Sequence, residues 1–458
     1  CLHAPIKFRA LPWTRQVKTM TDLMNEILDL HAIAGLDSPS IPLNAARMSL
    51  FDWMVCGRVG TREPVAEKMH AFMTAQAGAG AASVFGSGMA PPRMTALVNG
   101  TTSRALDFDH THFAHVGHLS VGVCPAAMAV GEAEGATVSQ VVAAFLLGAE
   151  VVIRVGLVLG NGHHNRGFHQ TATAGAFGAA IAAGRLMSLT RDQMRMAIGL
   201  CSSRVSGLKS QFGTMGKTLN AGIAAAIGIE AVQLARLGMT SYDAGLMDPR
   251  GFIPTHSEMQ SPFVARPNEW LFSDIRYKFH ACCHGTHAMI EALCVLRPLD
   301  TAQVEKIVLQ TSPRWLSVCN IANPTTGLEV KFRYSWLAAM VLMGHDTGAL
   351  DSYWDKVATD PKCAKFAKRI KITPDETLID MQAKGHLLLR NGTQVPFGHD
   401  LNQSLSPSNL KCRLVAKSRS LLGAAAVQLR PLLDRSTLSA HELGTHMRAV
   451  ASAHHKTG

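Results

Sequence analysis

Residues 167–184 read Gly167-Phe-His-Gln-Thr-Ala-Thr-Ala-Gly-Ala-Phe-Gly-Ala-Ala-Ile-Ala-Ala-Gly184. The stretch holds no Asp, Glu, Lys or Arg, and Ala, Gly and Thr dominate it. A lipid-facing span draws on Leu, Ile, Val and Phe, whereas small side chains let helix backbones approach each other. The stretch therefore predicts a helix buried among other helices. Val141–Gly160 is more apolar but contains Glu150 and Arg154, so it too predicts a buried helix rather than a membrane span. Outward from this pair, apolar periodicity predicts helices at Thr21–Ala32, Leu43–Val55, Ala66–Ala75, Val123–Glu134, Ser139–Leu159, Gly175–Leu186, Arg191–Ser202 and Asn220–Leu237. Thr190, with Gln193 three residues on, predicts a capping box.

Near Ser261–Leu271 the texture changes. Lys306–Thr311 alternates like a strand, and Asn391-Gly392 between two apolar runs in Gly385–Phe397 predicts a hairpin. Gly285–Leu296 and Tyr334–Met343 predict helices in the same region, and the helical pattern returns at Asn409–Leu422 and Ala440–Ala451. The expected fold is mainly α. A large all-helical domain, 20–264 plus 399–458, carries an inserted smaller α+β lid domain at 265–398. Residues 1–19 hold Lys7, Arg9, Arg15 and Lys18 with no acid before Met20, which predicts an N-terminal extension.

At 47% hydrophobic and 17% charged residues, the chain of 458 is a folded globular protein rather than a disordered one. Its net charge of +11 is scattered, with no basic run or interleaved aromatics to track a nucleic acid. A small anionic ligand fits better, and neither nucleic acid nor membrane is expected as a partner. Ten cysteines without regular spacing point to a reducing compartment, the cytoplasm or, if residues 1–19 are a presequence, an organelle matrix.

Three polar knots carry the chemistry. The first, Asp107-Phe-Asp-His-Thr-His-Phe-Ala-His-Val-Gly-His118, concentrates imidazoles and carboxylates, the groups suited to proton transfer near neutral pH. The second is Gly162-His-His-Asn-Arg-Gly-Phe-His169, and the third is Lys278-Phe-His-Ala-Cys-Cys-His-Gly-Thr-His287. Two short matches mislead. Asp107-Phe-Asp-His-Thr111 has the DxDxT form of a phosphatase but lacks the buried strand that must precede it. Gly213-Thr-Met-Gly-Lys217-Thr218 resembles the end of a phosphate-binding loop, but Gln211 stands where that loop needs Gly. No HExxH-type spacing is present, and no metal is expected.

The three knots, in this order and at these intervals, resemble the MmgE/PrpD family from about Leu43 to past Leu422. Asn99-Gly with Ala105-Leu-Asp-Phe-Asp109 is similar to the family's NG and ALDFDD blocks, and Gly167-Phe-His-Gln-Thr171 to its GFHxT block. Phe212-Gly-Thr-Met-Gly-Lys-Thr-Leu219 is similar to FGTMTKPLH, and Cys282-Cys283 with Thr286-His287 to CCxxTH. The chain departs from these patterns at His110, His164, Leu119 and Asn220. It also has Cys283 where the family's decarboxylase carries a histidine important for activity.

The resemblance implies a homodimeric enzyme with no cofactor, its site between two domains at Asp107, Thr111, His118, His169 and Lys217. The expected activity is that of a dehydratase-type carbon–oxygen lyase, like 2-methylcitrate dehydratase, on a small di- or tricarboxylate. Removing a proton α to a carboxylate builds a dianionic enediolate that fixed cations must stabilise. In that reading Lys217 clamps a substrate carboxylate with help from Arg104 or Lys278, and Cys283 lines the substrate site. His118 and His169 divide the base and acid roles, and Asp107 orients one imidazole. Thr111 bonds a carboxylate or the leaving hydroxyl. The alternatives are an epimerase, isomerase or decarboxylase of the same family, a DxDxT phosphatase, or a carboxylate-binding protein without activity.

Overall fold

A computed structural model describes residues 17–449, apart from 34–35, 37–39, 77, 243–244, 259–260, 268, 404, and 435–436. Of the expected extension at 1–19, residues 1–16 lie outside the described set, and 17–19 begin the first helix. The molecule is mainly α. Its first half runs through α1 (Val17–Ala32), α2 (Ile41–Gly60), α3 (Pro64–Gln76), α4 (Pro92–Arg104), α5 (Ser120–Ala133), α6 (Val138–Asn165), α7 (Gln170–Leu186), α8 (Arg191–Ser202) and α9 (Met215–Arg236). The Ala/Gly stretch that predicts a buried helix is α7, and every residue from Gln170 to Gly184 is buried in it. It packs against α5, α6 and α9. Two helices, α6 and α9, are long and apolar enough to cross a membrane, yet the apolar window of α6 is 94% buried inside the protein. Thr190 and Gln193 form the expected capping box at α8.

Helix α4 has no clear signal in the sequence. Thr, Asn, Gly and Ser fill Pro92–Arg104 and lower its helix propensity. Tertiary contacts override that preference. The Asn99 amide donates to the Ser83 carbonyl at 2.9 Å and accepts from the Phe85 N–H at 2.9 Å, both buried. The same small residues let α4 lie against α9. A Cβ on Gly222 would stand 2.1 Å from the Leu97 carbonyl oxygen, so only glycine permits this approach. The crossing sets the C-terminal end of α4, at Arg104, beside the N-terminal end of α9, at Lys217.

The expected strand and hairpin are present as β3 (Val304–Thr311), β5 (Gln382–Leu389) and β6 (Gln394–Asp400), which follow a two-residue ladder of β1 (Ala82–Ser83) and β2 (Met89–Ala90). Gly392, at φ 84°, turns β5 into β6. The sequence does not announce β4 (Ile370–Pro374), five residues ending in proline, which pairs parallel to β3 at the sheet edge. Strand order is β4-β3-β5-β6, and all other pairings are antiparallel. The helix His287–Cys294 covers β5 and β6, and the helix Tyr334–Leu342 packs against it. The chain then returns to the helical body. The helix Pro407–Leu422 lies on α2, and the helix Ala440–Arg448 reaches α5 and β1.

Candidate active site

Helix ends converge on the first polar knot. Residues 105–119 are a loop rather than a helix, tied by bridges Thr111↔Arg276 and His112↔Gly117. Arg104 ends α4, His118 stands two residues before α5, His169 is the N-cap of α7, and Lys217 lies in the first turn of α9. The His118 N–H donates to Thr171 Oγ1 at 3.1 Å and so joins the starts of α5 and α7. Three helix N-termini, each the positive end of its helix dipole, favour an anion here.

Asp107 is the hub. Its φ of 53° is left-handed, a strained conformation for a side chain with a Cβ. Three cations hold it there. Arg104 bonds its Oδ1, Lys217 Nζ reaches Oδ2 at 3.1 Å, and Lys278 Nζ reaches the backbone carbonyl at 2.6 Å and Oδ1 at 3.3 Å. Burial works to raise the Asp107 pKa, but Arg104, Lys217 and Lys278 together hold it well below the usual carboxylate range. Arg104 and Lys278 are buried at 2% and 3% exposure, while Lys217 is 24% exposed. Only Lys217 of the three presents unshared N–H donors toward solvent. Its ammonium also lies 5.1 Å from the Phe212 ring centroid.

The carboxylate that orients His118 is Asp109, where the sequence reading gave that role to Asp107. Asp109 Oδ2 accepts from His118 Nδ1 at 2.8 Å, and its Oδ1 accepts from Arg104 at 3.0 Å. Fully buried, Asp109 stays ionised because His118 and Arg104 outweigh the cost of burial. With the proton on Nδ1, the Nε2 of His118 carries the lone pair, and it faces Asp107 Oδ1 at 3.6 Å. His169 has the opposite tautomer. The Asn220 amide nitrogen donates to its Nδ1 at 3.1 Å and to the Leu208 carbonyl at 3.4 Å, which leaves the ring proton on Nε2. Burial, with Arg104 and Lys217 nearby, lowers the His169 pKa well below its ordinary value, so the ring is neutral. Its edge meets Phe212 at 5.0 Å, the same ring that Lys217 overlies.

Of the expected residues, Arg104, Asp107, His118, Lys217 and Lys278 are thus in one contact network, and His169 adjoins it. Thr111 is tied to the third knot, its hydroxyl 2.8 Å from Nδ1 of His284. His284, like Asp109, is missing from the expected set. It is the one imidazole of the third knot bonded to the first. Cys283 lies partly exposed beside Cys319, whose thiol lowers its pKa, aided by Lys278. The other histidines of the first knot turn inward. His112 donates from Nε2 to the Leu271 carbonyl at 3.1 Å and accepts the His115 N–H. His110 and His115 are fully buried, and neither ring has a hydrogen-bond partner among the described residues.

Asp107, Asp109 and His118 have the spacing of a metal site. Their carboxylates already carry Arg104, Lys217 and Lys278, so an added cation would meet three positive charges. The phosphatase pattern lacks its strand, because helix α4 precedes Asp107.

A model of the MmgE/PrpD N-terminal domain matches residues 31–263, and a model of the C-terminal domain matches 280–394. The chain belongs to the MmgE/PrpD family. Cis-aconitate decarboxylase of Aspergillus terreus is 31% identical over 283 residues, 57% of each chain. A cis-aconitate decarboxylase-like protein, oryM of Aspergillus oryzae, is 30% identical over 278 residues, 56% of this chain and 58% of its own. Human cis-aconitate decarboxylase is 25% identical over 399 residues, 79% of this chain and 82% of its own. The match thus spans little more than half the length of the Aspergillus relatives.

Proposed function

We propose that the chain is a lyase acting on a small tricarboxylate of the cis-aconitate or 2-methylcitrate class, through proton transfer at a carbon next to a carboxylate. The observation that carries this reading is the pairing of a half-exposed, cation-held Asp107 and Lys217 with His118 Nε2 and His169 nearby. Lys217 anchors a substrate carboxylate, and Lys278 and Arg104 keep Asp107 in place. His118 is the base, since its lone pair faces the site, and neutral His169 donates a hydrogen bond to the substrate from Nε2. Asp109 and Asn220 set those tautomers. Thr111 and Cys283 line the opposite wall. In dehydration, His118 takes the α proton and, as imidazolium, passes it to the hydroxyl, which leaves as water. In decarboxylation, the C–C electron pair stays on carbon as carbon dioxide leaves, and a proton taken up from solvent by His118 is delivered to that carbon. Lys217 stabilises the same anionic intermediate in both.

Cys283, in place of a histidine, favours the dehydratase, and the names of the relatives favour the decarboxylase. A division into a helical domain, 20–264 plus 399–458, and an α+β lid at 265–398, a homodimer and a reducing compartment complete the proposal. Incubation with citrate-, aconitate- and succinate-type acids in deuterated water, followed by NMR, is the test. Loss of a carboxyl carbon with deuterium gained identifies a decarboxylase, and loss or addition of water a dehydratase. Deuterium exchange alone identifies an epimerase. Ligand-induced thermal stabilisation without turnover of any acid would replace the enzyme reading by a binding one.

A further inference from the structure

Away from the histidine loop, a second group of metal-ligating side chains lies beside the sheet. The helix Tyr334–Leu342 ends at Met343, and Gly344, at φ 89°, turns the chain into His345. The short helix Pro361–Ala367 packs on that helix, with Asp360 as its N-cap and Cys363 in its first turn. One donor atom each from His345, Asp360 and Cys363 lies within 4.8 Å of the others. Met343 supplies a fourth donor, its Sδ 3.8 Å from Cys363 Sγ. Two sulfurs bound at about 2.3 Å to one tetrahedral ion stand about 3.8 Å apart, so this pair fits a single metal.

The donors are also available. Asp360 caps the Lys362 N–H through Oδ1 at 2.8 Å, and its carboxylate also lies within hydrogen-bond reach of the Cys363 thiol. The His345 ring makes no hydrogen bond among the described residues. Cys363 is fully buried, as a soft ligand shielded from solvent needs to be. Thiolate, thioether and imidazole together select soft ions over magnesium or calcium.

We propose that Met343, His345, Asp360 and Cys363 bind one soft d10 metal ion, zinc(II) or copper(I), which staples the turn after one helix to the start of the next. The role is structural and independent of the lyase reading.

The test uses the full chain, stripped with a chelator and titrated with cobalt(II) as the zinc probe and, separately, with copper(I) against a chromophoric competitor. We expect one equivalent bound with a cobalt–thiolate charge-transfer band. That band should be lost in C363S, and affinity weakened about tenfold or more in both C363S and H345A. M343L should weaken both ions and copper(I) the more, because a thioether is a weaker ligand for zinc. Should C363S fail to fold, H345A at its half-buried turn still decides the outcome. Absence of saturable binding, or equal affinity in H345A and the parent protein, overturns the site. Loss of binding in D109N with H345A unchanged would place the ion at Asp107, Asp109 and His118 instead, and also overturns it.

Discussion

Replacing His110 by leucine should flatten the pH dependence of stability. His110 is fully buried, edge-on to Phe272 and Tyr277, with both ring nitrogens unpaired among the described residues. Burial pushes its pKa down from 6.5 to about 3. The folded value is the depressed one, so the contribution is complete above 6.5 and is lost as the pH falls from 6.5 toward 3. Within that window the unfolded chain takes up a proton that the folded chain refuses, at about 1.4 kcal/mol per pH unit. At pH 5 the folded ring is still neutral, so the magnitude is set by the unfolded state. Between pH 7 and pH 5 His110 alone should remove about 2 kcal/mol of stability. Urea unfolding of the parent protein and of H110L, followed by tryptophan fluorescence at both pH values, measures the difference. H110L should lose about 2 kcal/mol less on acidification. At pH 7 it should be the more stable by about 1 kcal/mol, since two unpaired polar atoms are gone. Equal losses in the two proteins would refute the argument, because they would mean that the folded ring protonates as freely as the unfolded one.

The site itself supplies further expectations. Asp109→Asn should place an amide N–H against His118 Nδ1 and reverse its tautomer. On the acid identified by the NMR panel, kcat should fall by about 10²–10⁴ with KM changed little. Lys217→Ala should instead raise KM, and an unchanged value would remove Lys217 as the substrate anchor. Lys417 lies at 3% exposure and donates to Asp52 Oδ1 and to the Phe108 carbonyl, both at 2.7 Å, so it fastens the site loop to α2. Lys417→Met should cost about 3–5 kcal/mol by stranding Asp52, and adding Asp52→Asn should recover part of that in a thermal melt. Gly222→Ala should destabilise by about 1–3 kcal/mol, because its Cβ meets the Leu97 carbonyl and parts α4 from α9. A melting curve unchanged from the parent would show that the two helices can separate freely.

The sequence by itself determined most of the long elements and the polar knots. Periodicity is a local property, so α8 and the β5–β6 hairpin could be located from their own residues and caps. The small-residue stretch Gly167–Gly184 predicted a buried helix for the same reason. Helix α4 escaped because its Thr, Ser, Asn and Gly speak against a helix until Ser83, Phe85 and α9 surround them. The family resemblance carried by the polar knots and by Phe212–Leu219 implied Asp107, His118, His169 and Lys217 as a group, but not their partners. Residues 107–118 form an irregular loop with Asp107 in a left-handed conformation, and no period tells which way each side chain points. Only the tertiary structure sent His110, His112 and His115 inward and gave His118 to Asp109. It also gave His169 to Asn220, fifty-one positions along the chain, and Thr111 to His284, 173 positions away. A histidine's tautomer and charge are set by what lies against its two nitrogens, and here those neighbours come from distant segments that meet only when the chain is folded.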